Sequence, residues 1–344
     1  MTQKQRIMND TLIYSGASYF AIIIGFLVSI FSKKFLGVSG AGYWALLTVV
    51  MTFALYVGLG IKKGLVREVP QLIGAGEIKK AKELEDTTFS YLIIASLVGA
   101  AVICTVSIFL FTDPLLKTGM KVIAVLIPVT HLYNLMLVIL RARKQISILS
   151  RVVVLNTIFI FLFALPGAYF FGVIGFAAGT VIATSLSFYY AKRWSNTRFS
   201  FCLDWEKIWH LIKIGLAMLL AGILFRTFLN IDKMMIGKML GIEQLGLYTI
   251  GIMAVHQVSS LPRFFNIVIF PHIQEKYGAT KDVMEIKSMI LKPTYLISRL
   301  GPVLLGVIIF LIQPIVLYVL PQFKDGLGIM KILVFGYFFM AVNE

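Results

Sequence analysis

Four basic side chains fall inside apolar runs, where hydrocarbon would otherwise surround them: Lys213, Arg226, Arg263 and Arg299. A membrane-buried arginine costs about 2.5–3.5 kcal/mol even on a lenient insertion scale, so it is expected to face protein or water and to have a partner. Arg263 and Arg299 lie several residues in from the nearer end of their runs and are read as lining a cavity. Arg226 lies about 10 Å from the middle of its run at ~1.5 Å per residue, which fits an interface anchor or the same cavity. Lys213 is about one turn from an end and snorkels. Arg263 follows Pro262, which frees a backbone carbonyl within the run. In the equivalent register near the start of the chain stands Gly58-Leu59-Gly60, followed by Lys62, Lys63 and Arg67. Each half thus carries a breakable helix with cations beside it, although simple cytoplasmic flanking charge also accounts for Lys62 and Lys63.

Guanidinium and ammonium groups held in a low-dielectric site bind anions. No Asp or Glu lies within an apolar run, and Asp232 stands at the edge of one. That sign of charge favours an anionic ligand over a cationic one. Asp232 has three readings: an ion pair with Lys233 or Arg226, a cap on its turn, or a coupling role. His131 and His256 fall one in each half, and each is either a titrating group or a structural hydrogen bonder. No metal-ligand or nucleophile motif, phosphate loop or paired acidic motif is present, which argues against an enzyme and leaves no cofactor or metal to expect. GLGIKKG follows no strand and is not a nucleotide fingerprint.

The elements that must position these residues are membrane spans. The 344-residue chain is 59% hydrophobic and 14% charged, too little polar surface for a soluble protein of this size. Runs long enough to span lie near 12–32, 42–61, 89–111, 122–140, 152–171, 172–190, 208–229, 246–270, 294–312 and 328–343, ten in all. The fifth and sixth abut, and Pro166-Gly167 with Gly172 and Gly175 marks their hairpin. The N-terminus lacks a small-residue cleavage site and reads as a retained first span. Cys104 and Cys202 suggest no disulfide. Net charge +16 is distributed by loop, not clustered as for nucleic acid: alternate loops beginning with the N-terminus hold 20 Lys and Arg against 8 on the other side. That bias puts the N-terminus in the cytoplasm. The longest loop, 62–88, reads as a solvated mixed-charge helix.

The spans repeat. KFLGVSGAGYW at 34–44 is echoed by KMLGIEQLGLY at 238–248, with Lys34, Leu36, Gly37 and Gly42 recurring as Lys238, Leu240, Gly241 and Gly246. Glycines five apart after a basic residue fit a tight turn that reforms a helix at once. Six spans separate the copies, so both share one orientation about an axis along the membrane normal. The expected architecture is all-α and polytopic, with two pseudo-symmetric six-helix lobes, 1–200 and 201–344. By this repeat the second lobe is expected to be incomplete, with four spans.

These residues carry a resemblance. K-F-L-G-x-x-x-x-G-Y, the G-L-G-x-x-x-G-L-V-R ending at Arg67, and the D-K-M-M-I-G-x-x-L-G-x-x-x-L-G-x-Y stretch from Asp232 to Tyr248 resemble the Wzx-type polysaccharide flippases of the multidrug/oligosaccharidyl-lipid/polysaccharide exporter superfamily. The resemblance implies a V-shaped pair of lobes in the bacterial inner membrane. It implies alternating-access transport of an undecaprenyl-pyrophosphate-linked oligosaccharide, as for O-antigen or capsule repeat units. It also implies membrane lipid, a polysaccharide polymerase and a chain-length regulator as partners, and Asp232, Gly237, Gly241 and Gly246 as signature positions. Arg263, Arg299, Arg226, Lys62, Lys63 and Arg67 would then form the substrate's cationic cavity. Two other readings of the same chain are an ion-coupled multidrug exporter, opposed by the missing embedded carboxylates, and a membrane polymerase or glycosyltransferase, opposed by short outer loops.

Overall fold

In the computed structural model, which describes residues 3–257, 291, 299, 303 and 305–343, all regular structure is helical. The chain runs through α1 (Gln3–Ala54), a 3-10 turn (Leu55–Gly58), α2 (Ile61–Gly74), α3 (Ile78–Leu110), α4 (Pro114–Ala142) and α5 (Ile146–Phe159). A π turn (Ile160–Ala164) leads into α6 (Leu165–Trp194), followed by α7 (Trp205–Phe228) and α8 (Ile231–Met239). Then come α9 (242–257), α10 (Leu305–Val319, ending in a π turn) and α11 (Leu327–Asn343).

Two helical runs are too long to be single spans. Tyr14–Gly58 has 45 residues and Ile146–Trp194 has 49, about 70 Å each at ~1.5 Å per residue, roughly twice the ~30 Å hydrocarbon core. Each folds at a glycine. Gly37 takes φ 69° and ψ −176°, and Gly172 takes φ 60° and ψ −141°, a conformation that costs a residue with a Cβ dearly. Around Gly172 the chain doubles back: Gly167 packs on the Gly175 carbonyl and Gly179 on that of Phe163. Those pairs share one midpoint, as in an antiparallel hairpin. The turn thus falls at Gly172, where the free φ is and where the fifth and sixth spans were expected to part.

Inside a bilayer apolar burial drives little, because lipid is as apolar as leucine, so helices are held by close packing and by polar contacts. α4 is the most enclosed helix: Leu126, Ile127, Leu135, Met136, Ile139 and Leu140 have no exposed surface. It meets α1 through Leu47, Ile123 and Ile127, and meets α2 and α3 in a core of Leu65, Leu92, Leu135 and Ile139 that Leu211 of α7 joins. Ile30 and Ala41 of α1 join the core built by α9, α10 and α11 around Ile250, Ile312, Phe323 and Val334.

The stretch 62–88 is helical as expected, but only part of it is solvated: residues 74–80 are exposed, and from 81 onward it is largely buried. α2 occupies its first part, and from Ile78 onward it is the first turns of α3, with Glu85 and Asp86 1% and 7% exposed. Arg143, from the far end of α4, binds Glu85 through both carboxylate oxygens, with Nε at 2.9 Å. Lys82 pairs with Asp86 and donates to the Arg198 carbonyl at 2.5 Å. The segment joining α6 to α7 is laid along this same face: Ser200 N donates to Asp86 at 3.3 Å, Cys202 N to Ser90 Oγ at 2.9 Å, and Phe199 stacks on Phe89 at 4.3 Å. The charges read as solvent-facing tie that connection down.

Candidate functional site

The repeated motif divides its work between its glycines. Gly37 and Gly241 both have positive φ, 69° and 91°, and make the turns. Gly42 and Gly246 lie within helices, where they make a contact. A Cβ on Gly42 would run into the Ile242 carbonyl, and a Cβ on Gly246 into the Val38 carbonyl. With the repeat offset of 204 residues, 42 corresponds to 246 and 38 to 242, so the contact is reciprocal, as across a two-fold axis. Ser39 Oγ and Glu243 Oε1, 3.5 Å apart and also 204 residues apart, meet on that axis.

A second glycine seam lies at the end that carries the basic loops. There Gly60, in the left-handed region at φ 75°, and Gly215 abut each other's carbonyls, and Gly64 abuts the Leu211 carbonyl. The 3-10 turn and the left-handed Leu59 (φ 44°) break the second span just before this seam. Tyr56 on that turn donates to the Gly222 carbonyl of α7 at 2.8 Å.

Between the two seams is a cavity of about 930 Å³. One wall is a polar stripe on α1: Ser29, Ser32 and Lys33 before the bend, Thr48 and Thr52 after it. Facing it are Arg226 and Asn230 at the α7–α8 break, Asp232 and Lys233 on α8, and Tyr248 and His256 on α9. Leu229 and Asn230 interrupt the α7–α8 span, and such discontinuities are where membrane helices commonly present binding groups.

The cavity's cations are held by neutral oxygens, with Asp232 the one carboxylate beside them. Lys33 Nζ donates to Ser29 Oγ at 2.9 Å, and Lys233 Nζ to Asn230 Oδ1 at 2.9 Å. Asn230 in turn donates to the Arg226 carbonyl at 2.8 Å. The one acid in the lining, Asp232, accepts from the Tyr248 hydroxyl and from the Lys233 amide. Among the described residues no ion pair uses Lys33, Arg226 or Lys233. Three cations against one hydrogen-bonded carboxylate give a lining of net positive charge.

Of the site residues expected from sequence, Arg226, Asp232 and His256 line this cavity. Lys62, Lys63 and Arg67 do not. The break at Leu59–Gly60 sets them on α2, beyond the basic-end seam, where Lys63 and Arg67 are exposed and Lys62 turns toward the buried His131. Arg299 is helical, exposed and not part of the lining. Arg263 lies outside the described residues. Lys33 and Lys233, which bring most of the charge, were counted as loop cations because hydropathy windows end at 32 and 229. The i, i+4, i+7 spacing of Arg226, Asn230 and Lys233, and the i, i+4 spacing of Ser29 and Lys33, were the available signals.

A family model described as polysaccharide biosynthesis protein matches residues 33–322. The chain belongs to that family. No curated protein matches the chain in sequence. Its fold is shared with solved transporters. An outward-facing multidrug resistance MATE family transporter of the MOP superfamily aligns with a TM-score of 0.60 at 17% identity, over 97% of this chain and 81% of that one. A MATE protein in complex with MaD5 aligns at 0.63 with 14% identity, over 97% and 82%. A MOP superfamily transporter from Pyrococcus furiosus, reported with a binding pocket of reversed polarity suggesting a different function, aligns at 0.54 with 14% identity, over 97% and 81%. The protein is thus an all-α, multi-pass membrane protein with a MOP-superfamily transporter fold. Its resemblance to the Wzx-type flippases agrees with both the family and the fold.

Proposed function

We propose that this protein is a flippase for an oligosaccharide linked to a polyprenyl pyrophosphate, acting in the bacterial inner membrane with its basic loops in the cytoplasm. The observation that carries the reading is the cavity between two glycine seams, in which Lys33, Arg226 and Lys233 outnumber the single carboxylate, Asp232. A pyrophosphate presents several anionic oxygens, which guanidinium binds in bidentate fashion and ammonium binds as a point charge. The volume is at the upper end for small-ligand pockets, and the serine, threonine, asparagine and tyrosine lining suits sugar hydroxyls. The polyprenyl tail would stay in lipid. Opening one seam while the other holds would expose the cavity to each side in turn, a transport step without bond chemistry. The positive lining speaks against a cationic drug as cargo.

The test is export in a flippase-null strain, expressed per molecule of membrane-resident protein. Single Lys33→Ala, Arg226→Ala and Lys233→Ala variants each remove a charge-assisted bond of about 1.5–3 kcal/mol, so specific activity should fall roughly 10- to 150-fold. Arg226→Lys should recover part of the loss and Arg226→Glu should be worse than alanine. Unchanged specific activity in all three alanine variants would refute the pyrophosphate site.

A further inference from the structure

Each copy of the repeated motif ends on an aromatic residue, Trp44 in the first and Tyr248 in the second. Each stands two residues past its seam glycine, Gly42 or Gly246, and both line the cavity. Equivalent positions about an axis along the membrane normal lie at one depth and on opposite sides of that axis. Two rings, one from each copy, therefore flank the cavity beside the Gly42–Gly246 seam. Phe225 and Phe228 also line it, but their counterparts at the same offset are Ala21 and Ile24, so they form no such pair.

Both rings are held in place by their own copy. Trp44 meets Phe176 of α6 at 88°, ring centroids 4.8 Å apart, and packs into the core of Leu165 and Ala168. The Tyr248 hydroxyl donates to Asp232, which also accepts from the Lys233 amide. The small hydroxyl residues of the lining share a second property. Ser32, Thr48, Thr52 and Thr249 all give their proton to a backbone carbonyl of their own helix, at 3.1, 2.7, 2.8 and 2.6 Å. Their oxygens are left as acceptors. A cavity with aromatic plates and accepting oxygens matches a pyranose. The ring's C–H bonds present weakly positive hydrogens to the negative face of an aromatic ring, while its hydroxyls point outward and donate.

We propose that Trp44 and Tyr248 are the sugar-binding pair of the cavity, each stacking on the C–H face of a pyranose whose hydroxyls donate to Thr48, Thr52 and Thr249. Tyr248 is tied through Asp232 to the residue beside Lys233, so its ring adjoins the cations and takes the sugar next to the pyrophosphate. That placement rests on the flippase reading; sugar stacking does not, and two experiments separate them. In the first, the full chain in nanodiscs is probed by saturation-transfer NMR, with empty nanodiscs as the blank. The probes are methyl β-glucoside, which carries C–H bonds on both ring faces, and mannitol, which is rich in hydroxyls but has no ring. Wild type should transfer saturation to the glucoside ring protons and far less to mannitol. Trp44→Leu and Tyr248→Leu keep an apolar side chain without a π face and should each lose most of the glucoside signal, while Trp44→Phe should recover part. Equal signals from the two probes in wild type, or a glucoside signal that survives both leucine substitutions, would overturn the pair.

The second compares the dissociation constants of polyprenyl pyrophosphate with and without a glucosyl group, again on the full chain in nanodiscs. A stacking contact as strong as an aromatic pair should tighten binding of the glucosylated lipid by about 2- to 12-fold. Trp44→Leu and Tyr248→Leu should narrow that ratio toward one, whereas Lys233→Ala should weaken both lipids by the same factor. A purely structural role for the rings would weaken both lipids together and leave the ratio intact, and that result would overturn the proposal. If the glucoside behaves as expected but wild type binds neither lipid, the flippase reading fails and the sugar-binding pair stands.

Discussion

The two glycine seams make opposite predictions for one substitution. A methyl at Gly42 or Gly246 would overlap a backbone carbonyl of the facing helix, and so would one at Gly64 or Gly215. Backbone cannot rotate away as a side chain can, so the facing helices must part by about 1 Å or more to restore van der Waals contact. Overpacking of this kind costs about 1–3 kcal/mol. If the seams close alternately, that cost falls only on the state in which the altered seam is closed, and it shifts the open-to-closed ratio roughly 5- to 150-fold. Accessibility of a single cysteine at Thr48, on the cavity wall, reads the ratio once Cys104 and Cys202 have been replaced. Gly42→Ala and Gly246→Ala should raise its labelling by an impermeant thiol reagent from the Gly37 side, and by similar amounts, because their contacts are reciprocal. Gly64→Ala and Gly215→Ala should lower labelling from that side and raise it from the basic-loop side. Gly74→Ala, where an added methyl meets nothing within 4 Å, should do neither. If Gly42→Ala and Gly64→Ala shift labelling in the same direction, the seams are packing contacts and not gates.

Two further outcomes concern stability. Arg143→Met strands the Glu85 carboxylate, 1% exposed, and should cost about 3–5 kcal/mol in detergent thermal unfolding; Glu85→Gln in the same chain should recover most of it. Asp113 caps α4 by accepting from the Leu115 and Leu116 amides, and the Tyr43 hydroxyl donates to it at 2.5 Å. The Tyr43 bond, then those amides, hold its carboxyl below the usual range. Its stabilising contribution is therefore present above the ordinary carboxylate pKa and is lost as pH falls through the lower folded value. Asp113→Ala should cost about 1 kcal/mol at pH 7, and the gap to wild type should narrow on acidification to about pH 3.

What the sequence discloses of this fold is whatever is local. The hairpin is signalled by Pro166-Gly167, Gly172 and Gly175 close together along the chain, and the turn falls at Gly172 among them. The repeat is legible because both copies stand in one string. That Gly37 and Gly241 turn the chain while Gly42 and Gly246 meet the other copy is not legible, since all four read alike until the copies are set face to face. Glu85 looks solvent-facing because its neutralising partner, Arg143, comes from 58 residues away, and Asp86 because the 198–202 connection laid over it comes from more than 110 residues away.

The same limit governs the site, and it explains which cations were found. A charge in the middle of an apolar run is conspicuous, so Arg226 stands out, but a charge at the edge of a run reads as a flank. Lys33 and Lys233 sit at such edges, and each is one turn from a helix bend, at Gly37 and at Leu229–Asn230. A bend turns the edge of a span inward. Hydropathy locates where a helix leaves hydrocarbon, not whether it leaves into water outside the protein or into a cavity within it. The converse holds for Lys62, whose position one residue into a new helix after a left-handed break reads as a cytoplasmic flank yet brings it against His131. In a chain whose spans break at Gly37, Leu59–Gly60, Gly172 and Leu229–Asn230, the cations that line the cavity or meet His131 stand beside three of those breaks. There the backbone has changed direction and the side chain faces protein instead of lipid.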